Sequence, residues 1–271
     1  MEIIFAHPTT SYDSYSDYRK LVAVSGFEVC NQDQIDINKD AIYITSPFNG
    51  DVEAAIKARP KNKRKCKIVH WFLERPGTNG IEKFEDWSKR LLENYLDELW
   101  FTGADMYKLV KHIGGTKFVP AGSDERIGSR EERTKLFDVC HMSYVYGRRD
   151  RIIHNLKCRI GPNCWGDARH NVLLDSAFMI NTHQDNKDYY EPLRFALCAA
   201  YRIPMISEKC GDTFPYEDGV DFLSAPYDQL NNFFTTICKE GPQKHRAMAE
   251  RMFEKACHKF KFENNIKNAV I

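Results

Sequence analysis

The segment from Ala177 to Ser207, AFMINTHQDNKDYYEPLRFALCAAYRIPMIS, constrains this chain more than any other, because two short apolar runs enclose a polar loop and one helix. Phe178 to Ile180 is bounded by polar residues, as a strand buried on both faces would be, and Ile203 to Ser207 reads the same way. The helix between them is expected to start at Tyr190-Glu191-Pro192, with proline where a missing N–H costs nothing. Leu193, Ala196, Leu197, Ala199 and Ala200 then suit close packing on a sheet. Arg194 falls within one turn of the positive end of that helix, an unfavourable place for a cation unless an anion is shared there. A nucleotide diphosphate would supply the anion.

A chain of 271 residues with 42% apolar residues can bury one large core or two moderate ones, and here short apolar runs alternate with amphipathic stretches. Strands are expected at 3–6, 41–45, 67–73, 98–101 and 117–119, with helices at 14–24, 52–58, 82–95 and 106–112. A second series begins at 137–142, continues with a helix at 148–156, and adds strands at 159–160, 178–180, 203–207 and 221–223. Repeated β-α alternation of this kind implies mostly parallel sheets with right-handed crossovers, an α/β fold of two Rossmann-like halves. The polar stretch AGSDERIGSREERTK at 121–135 is the candidate linker, giving an N-terminal domain over 1–134 and a second over 135–250. Apolar positions at helical spacing from Leu230 onward predict closing helices, with 251–271 the last of them.

The formal charge of +1 supplies no global attraction to nucleic acid or to an anionic membrane, so any such affinity must be local. No run reaches the length of a membrane span, and MEIIFAHP reads as a first strand, so a cytoplasmic monomer is the expectation. The nine cysteines are scattered without a C-x-x-C pair and read as reduced thiols, many of them in the core. There is no D-x-D metal clamp, and no metal or other cofactor is expected.

An asparagine-ending strand, a polar loop and then L-R-[apolar]-x-x-x-x-A resembles the C-terminal half of nucleotide-sugar glycosyltransferases of GT-B architecture. Within them the pattern is similar to the CgeB-like group and to the T-even bacteriophage DNA β-glucosyltransferase. The resemblance implies two Rossmann-like domains facing across a cleft, a final helix returning to the first domain, and transfer of a sugar from a UDP-linked donor, UDP-glucose above all, to an acceptor hydroxyl. For a viral protein the compartment would be the host cytoplasm. In these families an arginine holds the donor diphosphate, and Arg194 matches it. A glutamate one helical turn later grips the ribose; Leu197 stands there, which leaves Glu191 as the replacement or the grip different.

The run FDVCHMSYVYGRR, Phe137 to Arg149, resembles the strand, glycine loop and arginine that contact the diphosphate. Ser143, Gly147, Arg148 and Arg149 are its candidates, with Arg149 favoured over Arg148 by register; an exposed basic helix start is the alternative. Asn181 joins the donor set. Gly161 and Trp165 follow the next strand, where a ring could stack on the base and a glycine allow close backbone approach, or where Trp165 could simply fill the core.

KIVHWFLERP, Lys67 to Pro76, places Glu74 after a strongly apolar strand, where open α/β sheets gather their ligands. The resemblance makes Glu74 the candidate general base, the alternative being a surface pair with Arg75. His7, at the end of the first strand, and His70 are candidate acceptor contacts. KARPKNKRKCK, residues 57–67, carries seven basic residues in eleven positions, with Lys63 and Arg64 singled out for an acceptor of duplex DNA; a solvated loop is the alternative. A binding protein for nucleotide sugars or nucleic acid without catalysis is the rival class.

Overall fold

The structure, a computed structural model, describes residues 1–8, 16–46, 50–73, 81–128, 133–184 and 190–271. They form two compact units, one of residues 1–8, 19–121 and 263–271 and one of residues 16–18 and 122–262.

The first unit is built on β1 (Glu2–His7), α1 (Ser16–Val24, its start counted with the second unit), β2 (Glu28–Asn31), β3 (Ala41–Thr45), α2 (Gly50–Lys57), β4 (Lys67–Phe72), α3 (Ile81–Asn94), β5 (Glu98–Phe101), α4 (Ala104–Val110) and β6 (Thr116–Phe118). The six strands form one parallel sheet in the order β2-β1-β3-β4-β5-β6. Every residue of β3 is buried, as are the last five of β4, which is why these two read as largely apolar runs. β2, with the pattern EVCN, lies at an edge and has no buried residue, so hydrophobicity gave no sign of it.

The second unit contains β7 (Phe137–Cys140), α5 (Arg148–Asn155), α6 (Gly166–Leu174), β8 (Ser176–Asn181), α7 (Pro192–Ala200), β9 (Met205–Glu208), β10 (Leu223–Ala225), α8 (Leu230–Glu240) and α9 (Arg246–Phe253), and α10 (Phe262–Val270) follows, all but its first residue counted with the first unit. Its sheet is parallel in the order β10-β9-β8-β7. Ile160 makes only an isolated bridge to Val139 where a strand was expected. Val139, Ile152, Phe178, Ile180, Ile206, Leu230 and Phe234 pack as one core beneath α5 and α8.

Two domain limits move. The division falls between residues 121 and 122, not at 134, because residues 123–128 of the polar stretch are anchored in the second unit. The Ser123 N–H donates to the Ala256 carbonyl at 2.8 Å, Asp124 is buried against Arg126 and Lys261, and a Cβ on Gly128 would meet the Ala200 carbonyl at 1.9 Å. Residues 251–262 likewise stay with the second unit, where Arg202 lies over the Phe253 ring at 3.3 Å, and only 263–271 join the first. There the Lys117 ammonium donates to the Ala269 carbonyl and the Asn265 amide to the Pro120 carbonyl.

The basic run at 57–67 is knitted into the first unit. Arg64 donates to the carbonyls of Arg59 and Cys66 and pairs with Asp97 at 2.6 Å, its side chain 1% exposed. Lys61 donates to the Leu92 carbonyl, and Arg59 to those of Ala55 and Asp33. Arg64 is therefore a structural cation, not an acceptor contact, and Lys63 is the exposed member of that pair. The run also precedes β4, so it sits at the amino edge of the parallel sheet. Six residues at about 3.3 Å each put it some 20 Å from the carboxyl edge at Phe72. Arg64→Ala should cost about 2–3 kcal/mol through the orphaned carbonyls and carboxylate, against less than about 0.5 for Lys63→Ala, read from urea midpoints. Equal, small losses would return the run to the surface.

Candidate functional site

The carboxyl edge of the second sheet gathers three arginines. Past β7 the chain runs through buried His141 and Ser143 to Gly147, whose φ of 59° turns it into α5, so that Arg148 and Arg149 stand in the first turn of that helix. β8 ends at Asn181 and is followed by Thr182 and His183; α7 is capped by Glu191 and presents Arg194 in its first turn. β9 ends at Glu208.

Arg194 donates to Asn181 Oδ1 at 2.5 Å, to Glu191 Oε2 at 2.6 Å and to Ser143 Oγ at 2.9 Å. Arg149, 4% exposed, donates from Nε to the Thr182 carbonyl and from Nη2 to Glu191 Oε1, both at 2.9 Å. His183 Nδ1 stands 3.7 Å from Glu191 Oε2. One carboxylate is thus held by two guanidinium groups and faces an imidazole. Five predicted residues, Ser143, Asn181, Glu191, Arg149 and Arg194, meet in one network.

Arg148 belongs beside them through a different partner. Its guanidinium pairs with both oxygens of Glu208, at 2.7 and 3.1 Å, and lies 3.9 Å from the Tyr227 ring centroid. The same carboxylate accepts the His183 backbone N–H at 3.0 Å.

Electrostatics follow from this packing. Burial would raise Glu191, but Arg194 first, then His183 and Arg149, hold it below its ordinary value. For His183, burial opposes the charged form, yet the Cys210 sulfur at 3.8 Å and the nearby Glu191 carboxylate lift it to about 10. Its Nε2 also faces the Lys209 carbonyl at 3.2 Å, so both ring nitrogens look at acceptors, the arrangement of an imidazolium. His141 is pushed down to about 3 by burial, with Arg194 and Arg149 adding to it. Four cations against the carboxylates of Glu191 and Glu208 leave the cluster with a surplus positive charge suited to a polyanionic ligand.

The residues past the Ile160 bridge divide. Trp165 caps α6, its ring 5.1 Å from that of Tyr144 and 4.0 Å from the Arg169 guanidinium, with Tyr144 exposed. Gly161 is a correction: a Cβ there would meet Val172 Cγ1 at 2.8 Å and the Phe137 ring at 3.2 Å, so its smallness serves packing rather than the approach of a ligand. Leu197 is buried in α7.

In the first unit His7 ends β1 and is buried, pressed down to about 4 by burial and then by Arg19. His70 lies inside the sheet, fully buried, with Nδ1 2.8 Å from Thr45 Oγ1 and its ring edge-on to Phe72; burial takes it to about 3. That placement makes it a core histidine rather than an acceptor contact. Glu74 falls outside the described residues.

His7, His70 and His141 are neutral when folded and protonate on unfolding, so their contribution is complete above pH 6.5 and is lost as pH falls toward 3 to 4. Each costs at most about 1.4 kcal/mol per pH unit below 6.5. His183, protonated in both states there, adds nothing to that slope. The urea midpoint should therefore fall steeply between pH 6.5 and 5; a flat profile would contradict neutral burial of the three.

His183, Glu208, Thr182 and Tyr227 were not among the residues predicted from sequence. Glu208 extends the run MIS by one charged residue, and His183 sits in a loop of many polar residues, so neither carries a local signal.

Compared by sequence, the chain matches no protein-family model and no curated protein. Compared by structure, it is similar to Anabaena Alr3699/HepE, solved in complex with UDP and glucose, at a TM-score of 0.65 and 11% identity over 100% of this chain and 98% of the other. It is also similar to T4 phage BGT, solved with its UDP-glucose substrate, at a TM-score of 0.59 and 14% identity over 100% and 99%. The chain has the GT-B fold of these glycosyltransferases, with two Rossmann-like units.

Proposed function

We propose that this protein is a glycosyltransferase that moves a sugar from a UDP-linked donor, UDP-glucose first among the candidates, to an acceptor hydroxyl. The observation that carries this reading is the convergence of Arg148, Arg149 and Arg194 at the carboxyl edge of the second sheet. That edge is where open α/β sheets take their ligands, in a fold whose solved relatives hold UDP or UDP-glucose. Departure of a nucleoside diphosphate leaves charge on phosphate oxygens, and preorganised guanidinium and imidazolium groups favour the transition state in which that charge develops. Ser143 and Asn181 hold Arg194 in register for this, and Trp165 with Tyr144 offers rings for the base.

Arginines and the imidazole can neutralise the diphosphate without a metal, so transfer should survive chelation by EDTA. Glu74 is the proposed base for the acceptor hydroxyl. Duplex DNA stays among the acceptors on the likeness to the DNA modifying enzyme β-glucosyltransferase, at a TM-score of 0.52 and 14% identity. In the basic run Arg64, Lys61 and Arg59 are committed to internal carbonyls, which leaves the exposed Lys57, Lys63, Lys65 and Lys67 as its contribution to that case. The test is UDP release from a panel of UDP-sugars with hydroxymethylated duplex DNA, glycans and small alcohols as acceptors. Acceptor-dependent release supports the reading; tight UDP binding without turnover on any acceptor supports the rival, a binding protein, which buried Leu197 at the expected ribose position would suit.

A further inference from the structure

A cation in the first turn of a helix calls for a shared anion, and in this structure the chain supplies that anion itself. Glu191 Oε2 accepts from Arg194 at 2.6 Å, its Oε1 accepts from Arg149 at 2.9 Å, and His183 Nδ1 stands 3.7 Å away. Its carboxylate is therefore seated between the groups that would grip a diphosphate, in the geometry a phosphate oxygen pair would take. Arg194 has its remaining bonds on Asn181 and Ser143, so a ligand phosphate can gain this guanidinium chiefly at the place Glu191 holds.

We infer that Glu191 is an internal competitor for the donor diphosphate, which must displace its carboxylate from Arg194 and Arg149, so that this residue sets the affinity and the minimum anionic charge of ligands the site admits. The inference rests on the reading of this cluster as a donor site, and it opposes the role of Glu191 as a contact that strengthens nucleotide binding. A weakly charged anion cannot replace a carboxylate bound by two guanidinium groups; a diphosphate, with more charge and more acceptor oxygens, can.

Glu191→Gln keeps the size of the side chain and removes its charge. Without ligand it should unfold at a temperature lower by roughly 5 °C or more, because buried cations lose their counter-ion. Inorganic pyrophosphate and UDP, titrated by calorimetry, should bind the variant about tenfold or more tightly than the wild type, and should raise its melting temperature by more. Should the amide variant fail to fold, Glu191→Asp, whose shorter side chain keeps the charge but cannot reach both guanidiniums as well, should bind pyrophosphate more tightly than the wild type. Equal or weaker binding in the variant that folds, with the wild type binding both probes, overturns the competitor role and leaves the donor site standing. If neither wild type nor variant binds UDP or pyrophosphate, the donor-site reading falls and the inference falls with it.

Discussion

Arg194→Ala is expected to weaken UDP binding by about 2–4 kcal/mol, roughly a 30- to 1000-fold loss, while the protein stays folded. The substitution removes a charge-assisted contact and also releases one side of the Glu191 carboxylate, which would then oppose the incoming phosphates at close range. Arg149→Ala should act in the same direction. Since Arg149 and Arg194 hold the two oxygens of one carboxylate, their effects should not add in the double variant. Calorimetry on the four proteins gives the coupling directly; strict additivity would assign the two arginines to separate sites.

Glu74→Gln is expected to keep UDP affinity and to lower transfer by about a hundredfold or more, the usual contribution of a positioned base. Its place after β4 is the physical argument: residues past the carboxyl end of a central parallel strand are where ligands meet this kind of sheet. Single-turnover rates with saturating UDP-glucose separate the chemical step from donor binding. Full activity in the amide variant would remove Glu74 from the chemistry and point to a retaining mechanism, which needs no such base.

How much of this was legible in the sequence depended on the range of the interaction. β3, β4 and β8 announced themselves because a strand buried on both faces is apolar along most of its length, and α7 because Pro192 marks its first turn. Arg194 stood out for the same local reason, a cation at the wrong end of a helix. Partnerships across tens of residues left no such mark: Arg149 with Glu191, Arg148 with Glu208, Arg64 with Asp97. Charge density overcounted in the run at 57–67, where Arg59, Lys61 and Arg64 are spent on backbone carbonyls and Lys57, Lys63, Lys65 and Lys67 are the exposed cations. Gly161 misled similarly, since a glycine that admits a ligand and one that admits Val172 look alike in one dimension.

The central claim is the donor site, and a crystal structure of the protein with UDP-glucose tests it most directly. The account predicts the pyrophosphate within about 3 Å of the Arg194 guanidinium, the distance of a charge-assisted hydrogen bond, with the Glu191 carboxylate turned out of its present seat between Arg194 and Arg149. UDP-glucose bound away from the carboxyl ends of β7, β8 and β9, with Glu191 still on both arginines, would contradict it.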